Sequence, residues 1–254
     1  MLTTKAALRG GAGLVTLATI KSLQTLVYSQ LLEALTLPLE ETPQGTIDVK
    51  ALDRVNAYIK DRGVTAIVIG PGLTRQPQTA RFVHRLTAES NLPMVLDADA
   101  INVAPVLNGR ALRCLTPHRR EFARLIQTSE NAVIHDGLKL AGRFTRSHVN
   151  TVVVLKGHRT KVFHASQVWE NTTGNPGMAK GGSGDVLSGL MGAFLAQHSA
   201  QKRSHEHHLK AILAAVYLHG LAGDLASRTL TQYAMNAEDI VSFLAPAMKM
   251  TLKR

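Results

Sequence analysis

The chain has 254 residues, 45% of them hydrophobic, which is enough to bury one large core in a single domain over 1–254 without requiring a second. Twenty-nine Lys and Arg against eighteen Asp and Glu give a formal net charge of +11, which draws polyanions, but only 4% of residues are aromatic, too few for base-stacking platforms. One cysteine, Cys114, excludes an internal disulfide and suits a reducing compartment.

The basic residues are dispersed, with local groups at Arg119-Arg120, Arg124 and Lys202-Arg203, so we expect a basic solvated surface rather than a nucleic-acid groove. The longest stretches without charge contain Gly, Ser or Gln, and none is a continuous apolar run long enough to cross a bilayer. The opening twenty residues place Lys5 and Arg9 before an apolar run, but Gly and Thr dilute that run and no small-x-small site follows, so export is not expected. A cytoplasmic protein with no membrane or nucleic-acid partner is the expectation.

Taken in chain order, short β-branched runs alternate with longer amphipathic ones. Strands are expected over 14–19, 66–69, 94–96, 112–115 and 152–155. Helical spacing fills 48–61, 78–89, 119–127 and 136–148 between them. Short buried strands separated by helices predict a mostly parallel sheet covered on both faces. Residues 161–163 and 167–169 read as a hairpin, and helices follow over 184–197, 207–226 and 237–248, with a polar loop at 200–208. The chain shows no repeat and no long linker.

The chemistry concentrates where glycines precede an apolar helical pattern. Asn175-Pro176-Gly177-Met178-Ala179-Lys180-Gly181-Gly182-Ser183-Gly184-Asp185-Val186-Leu187 lets the backbone approach a ligand, and the free N–H groups and dipole of the helix start favour an anion. The segment is neither a Walker loop nor a G-x-G-x-x-G turn. Gly70-Pro71-Gly72 follows a buried strand, and so stands at the carboxyl edge where open α/β sheets bind ligands. Asp97 and Asp99 end the next strand. Either can reach a ligand hydroxyl or a hydrated magnesium ion, or cap the following helix, and the cap is the expected role of Asp99.

The glycine segment resembles the diagnostic motif of the nucleotide-dependent NAD(P)H-hydrate dehydratases, and its G-x-G-D core resembles ribokinase-like kinases generally. Further segments similar to that family occur in order across nearly the whole chain: Ala6 to Val15, Val68 to Leu73, Leu96 to Asn102, Leu115 to Glu121, Val154 to Gly157 and Tyr217 to Asp224. The resemblance implies a ribokinase-like three-layer α/β/α sandwich with a mostly parallel sheet. It implies dehydration of hydrated NADH and NADPH (NADHX and NADPHX) at the expense of ADP or ATP, with Mg2+, in a homo-oligomer. Gly72, His118 and Asp185 would contact the hydrated dinucleotide. Lys156, Gly157, His158, Arg159 and Thr160 would hold the nucleotide, mostly by backbone, together with Gly182, Ser183 and Gly184. Glu121 would lie near the magnesium-phosphate region.

Asp185 would act as the catalytic base that deprotonates the acceptor hydroxyl, and its place at a helix start should hold it ionised. Where the family carries Pro-Gly, this chain carries Arg119-Arg120, expected to face solvent. The family also places a strand and a Gly/Ser-rich turn before the Ala-Ala-Leu-Arg helix within which this chain begins, so the chain is expected to be truncated relative to it, with a sheet edge left open. A ribokinase-like small-molecule kinase and a non-catalytic nucleotide-binding paralogue are the alternative readings.

Overall fold

The structure is a computed structural model and describes residues 1–252 apart from 104, 108, 110 and 202–204. The chain opens with α1 (Leu2–Arg9), β1 (Thr16–Ile20), α2 (Gln24–Gln30) and β2 (Leu35–Leu39). Next come α3 (Ala51–Arg62), β3 (Ile67–Ile69), α4 (Pro77–Glu89), β4 (Met94–Leu96), α5 (Asp99–Asn102) and β5 (Arg113–Leu115). α6 (Arg119–Leu125), α7 (Glu130–Ser147), β6 (Thr151–Leu155), β7 (Lys161–His164) and β8 (Gln167–Glu170) follow. Three long helices, α8 (Ser183–Ala200), α9 (His205–Ala234) and α10 (Ala237–Leu252), close the chain.

The strands form a six-stranded sheet in the order β3-β4-β5-β6-β7-β8, with β3 to β6 parallel and β7 and β8 antiparallel, and a separate parallel pair β1-β2. Strand side chains alternate between two cores, as the period of two requires. Val95, Cys114, Val152 and Val154 face a core shared with α1, α8, α9 and α10. Met94, Leu96 and Leu115 face the opposite core with Val55, Phe82 and Leu86 of α3 and α4, and Val153 and Phe163 join Phe122 and Ala141 of α6 and α7. The result is helix, sheet, helix in three layers, mostly parallel at its centre.

Every expected strand is present, β4 with the expected bounds and the others with ends shifted by one or two residues. The strand expected from residue 14 starts at Thr16, and Leu14 is 81% exposed. α2 and β2 were not expected: β2 contains Pro38, which cannot donate to a ladder, and it pairs with β1 alone. α7 starts six residues before its expected boundary because Ser129 caps it, its hydroxyl accepting from the amide of Ala132 at 3.1 Å, while a non-helical Asp136 interrupts the helix where the spacing had suggested a start. The Lys202-Arg203 group lies outside the described residues, as does the middle of the expected loop at 200–208, whose flanks belong to α8 and α9.

Among the described residues one helix is long and apolar enough by length and composition to cross a bilayer, Glu206–Ala234, with a mean hydropathy of 1.3, although Glu206, Lys210, Asp224 and Arg228 interrupt it and it is not a continuous apolar run. Its Ile212, Ala215, Val216, Ala222 and Ala226 are spent on the core with α8 and α10, as befits a core helix.

Candidate active site

The carboxyl ends of β3, β4, β5 and β6 share one edge of the sheet, and each hands the chain to a loop that the sequence had marked. After β3, Gly70 has φ +132, and a Cβ there would stand 1.7 Å from the carbonyl oxygen of Asp97, so only glycine lets the two loops meet. Gly72 has φ +73 and open space beyond it. Asp99 is not the N-cap of α5; that position is Ala98, with φ +47. Asp99 instead braces the Gly72 loop, accepting from the amide of Thr74 at 3.1 Å and the side chain of Asn102 at 3.2 Å.

Asp97 is turned inward and is 1% exposed. Its Oδ1 lies 2.8 Å from the Lys156 ammonium, and its Oδ2 accepts from Ser188 of α8 at 2.6 Å. Burial by itself pushes this carboxyl up, but the charge of Lys156 and hydrogen bonds from Lys156, Ser188 and Thr116 hold it below the usual range. Asp97 is therefore held as the carboxylate.

Directly above it lies the start of α8. Gly182, at φ +87, is the N-cap, and a Cβ there would strike Leu2 of α1 at 2.4 Å. A Cβ on Gly184 would stand 2.9 Å from the Lys156 Nζ, so the ammonium occupies the place of a side chain beneath the first turn. The first amides of a helix have no intrahelical acceptor. The buried hydroxyl of Ser183 has no hydrogen-bond partner either. The Ser183 amide makes only a long bond of 3.4 Å to the Lys180 carbonyl, and with the unpaired Ser183 hydroxyl and a side-chain-free floor carrying an ammonium the turn fits an anion such as a phosphate group.

Asp185 follows in the same turn and departs from expectation. Its carboxyl is raised above the ordinary value, first by burial and then by the charge of Asp97, against the opposing pull of the Met1 amino group and Lys156. Helix-start stabilisation is outweighed because the site is partly desolvated and already holds a carboxylate.

The glycine segment is held from behind by α9. Asp224 accepts from the Gly174 amide at 2.9 Å and from the Asn175 side chain at 3.0 Å, and Asn175 caps the short turn that follows by accepting from Gly177 at 3.0 Å. Lys180 donates to the carbonyls of Tyr233, at 2.6 Å, and Met235 at the end of α9. His219 is half-buried and pushed down to about 4 by desolvation, so it is neutral and its Nε2 donates to the Ser183 carbonyl at 2.9 Å. The segment Tyr217 to Asp224 stood out in the sequence, but nothing there assigned these two side chains to loop support.

At the end of β5, His118 is the N-cap of α6. Its Nδ1 accepts from the amides of Arg120, at 3.2 Å, and Glu121, at 3.3 Å, while Glu121 accepts from the His118 amide at 2.9 Å, completing a capping box. Accepting at Nδ1 fixes the proton on Nε2. The Glu121 side chain is 7% exposed and committed to this box, so its carboxylate does not open toward the edge as a free metal ligand would. Arg119 and Arg120 are exposed as expected, and Arg120 pairs with Glu130.

Of the 156–160 segment, Lys156 alone joins the glycine loop, and through its side chain rather than its backbone: its amide is spent on the Pro117 carbonyl at 2.9 Å, and it is bridged to His118. Gly157, His158 and Arg159 form the exposed tip between β6 and β7, Thr160 donates back to the Gly157 carbonyl at 3.1 Å, and Arg159 and Lys161 share Glu170. Among the described residues no group of three or more His, Cys, Asp or Glu is arranged to hold a metal.

The profile of the NAD(P)H-hydrate dehydratase family matches residues 1–246 of this chain. A bifunctional NAD(P)H-hydrate repair enzyme of Moorella thermoacetica is 40% identical over 252 residues, covering 96% of this chain. The chain spans only 45% of that relative's length. Among solved structures, a ribokinase-like superfamily protein of Enterococcus faecalis superposes with a TM-score of 0.79 at 27% identity, covering 98% of this chain and 81% of that one. The ADP/ATP-dependent NAD(P)H-hydrate dehydratase of Bacillus subtilis, co-crystallised with ATP and Mg2+, gives 0.78 at 27% identity, covering 98% of this chain and 83% of that one.

Proposed function

The chain belongs to the NAD(P)H-hydrate dehydratase family, and from that premise we propose that it dehydrates the hydrated forms of NADH and NADPH at the expense of ADP or ATP, restoring the reduced dinucleotides. The observation that carries the reading is the first turn of α8, where the unpartnered Ser183 hydroxyl and the Lys156 ammonium under Gly184 surround an anion's place and Asp185 stands beside it.

The nucleotide's terminal phosphoryl group would rest on the amides of Gly182, Ser183 and Gly184, with the Ser183 hydroxyl and Lys156 donating to its oxygens. Gly157 to Thr160 would border the rest of the nucleotide. The hydrate would enter from the strand edge, past the open space at Gly72 and the half-exposed imidazole of His118, whose Nε2 has only Glu121 Oε1 nearby at 3.5 Å and could donate to the hydrate instead. Asp185 would take the proton of the hydrate's hydroxyl as its oxygen bonds to phosphorus and the shortened nucleotide departs. Loss of phosphate with its carbon–oxygen bonding pair, and of the neighbouring ring proton, then re-forms the nicotinamide double bond. A carboxyl raised by burial is the better proton acceptor for that step.

Mg2+, when bound, supplies charge neutralisation on the phosphates. With Glu121 held in its capping box and no three-ligand cluster among the described residues, the ion would be held mainly by phosphate oxygens and water, with Glu121 at most an indirect contact.

The test is incubation of the purified chain with hydrated NADH and, separately, hydrated NADPH, with ADP or ATP and Mg2+. Return of reduced-nicotinamide absorbance with one phosphate released per turnover is the expected result. A stable phosphorylated product, or nucleotide binding without turnover, would overturn it.

A further inference from the structure

Asp97 was no more than one of two carboxylates near the sheet edge in the sequence, and nothing assigned to the site uses it. In the fold it is the most deeply buried acid at this edge, and three elements meet on it: β4 carries it, Lys156 reaches it from the end of β6, and Ser188 reaches it from the second turn of α8. Its backbone is pinned as well, since Gly70 abuts its carbonyl with no room for a side chain. A buried carboxylate this constrained sets where its partner's charge lies, and that partner fills the space beneath Gly184.

We infer that Asp97 is a positioning residue of the phosphate site: it holds the Lys156 ammonium beneath Gly184, so that the cation meets the phosphoryl group at the helix start. This inference rests on the proposed role of Lys156 in phosphoryl transfer.

At Asp185 the two members of the pair oppose one another: Asp97 raises its carboxyl, next to burial, while Lys156 and the Met1 amino group lower it. His219 of α9 packs at the same turn but is neutral, and Cys114 of β5, near Asp97, is buried and pushed up, so it carries no charge. Removing the charge of Asp97 would lower Asp185 while loss of Lys156 would raise it, so the consequence to read is at Lys156: a half-buried ammonium without its carboxylate leaves for solvent, and the anion site loses its cation.

The experiment uses the whole chain. In the wild type, free of nucleotide, nitrogen NMR should show a slowly exchanging ammonium signal for Lys156; exchange as fast as that of surface lysines would overturn the proposal with no variant having to fold. In Asp97→Asn, calorimetry should show ADP bound about tenfold more weakly, with no further loss when Lys156→Met is added. Undiminished ADP affinity in Asp97→Asn, or two losses that multiply in the double variant, would overturn it. None of these measurements needs turnover, so a failure of the dehydration assay in the wild type would count against the proposed function and leave this result to stand or fall alone.

Discussion

The ammonium of Lys156 lies 2.9 Å from the point where a side chain on Gly184 would begin, so the residue at 184 and the cation beneath it exclude one another. Gly184 has no positive φ and does not owe its identity to backbone strain. Gly184→Val should therefore fold, yet displace Lys156 from Asp97 and fill the anion's place. Calorimetric titration should show ADP or ATP affinity lost by more than about tenfold, the size of one charge-assisted contact. Unchanged affinity would mean that the glycine segment is only a connecting loop.

Asp185→Asn is nearly isosteric but cannot accept a proton, so turnover should fall by ~10² to 10⁴ while nucleotide affinity is kept. The wild-type rate should fall off in acid at a pH above that expected of an ordinary carboxylate, because Asp185 is raised by burial and Asp97. The stability consequence has the same origin. A group that binds its proton more tightly folded than unfolded contributes stability that is complete below its unfolded value and lost as pH rises through its folded value. At neutral pH, Asp185→Asn should thus be at least as stable as the wild type, with the difference closing in acid, as thermal unfolding across pH would show.

Gly70→Ala should act on the fold rather than on the chemistry. The added methyl would lie 1.7 Å from the backbone oxygen of Asp97, at a φ of +132. Neither loop can yield without moving the end of β3 or β4, and destabilisation on the order of 3 kcal/mol is expected from strain and overpacking combined. Denaturant unfolding of the variant measures it.

The sheet was legible in the sequence because its central strands are short β-branched runs buried on both sides, Val152 to Val154 most plainly, and helical spacing between them left little choice of architecture. The glycine segment was legible because no ordinary loop needs an aspartate after four glycines. What remained hidden depends on contacts distant in sequence. Asp97, Lys156 and Ser188 are separated by 59 and 91 residues from one end of the network to its two partners, and no local pattern joins them. β2 was hidden by Pro38, and the first turns of α7 by a kink at Asp136 that mimics a start. The titration of Asp185 was misjudged for a related reason: the helix dipole can be read locally, whereas the burial and second carboxylate that outweigh it cannot.

His118 has two separable duties, and a pair of substitutions separates them. Its Nδ1 caps α6 by accepting from two amides, and its half-exposed Nε2 is the atom proposed to meet the hydrated dinucleotide. Asparagine is a favoured N-cap whose side-chain oxygen can take over from Nδ1, but it places no donor where Nε2 stands. Alanine supplies neither. His118→Asn should keep a melting temperature close to the wild type's and bind ADP as before, yet show a raised KM for the hydrate. His118→Ala should show the same rise in KM together with a loss of about 1 kcal/mol in stability, the usual cost of an N-cap. If the two variants differ in stability but both retain the wild-type KM, the histidine is only a cap and the substrate must enter elsewhere along the strand edge.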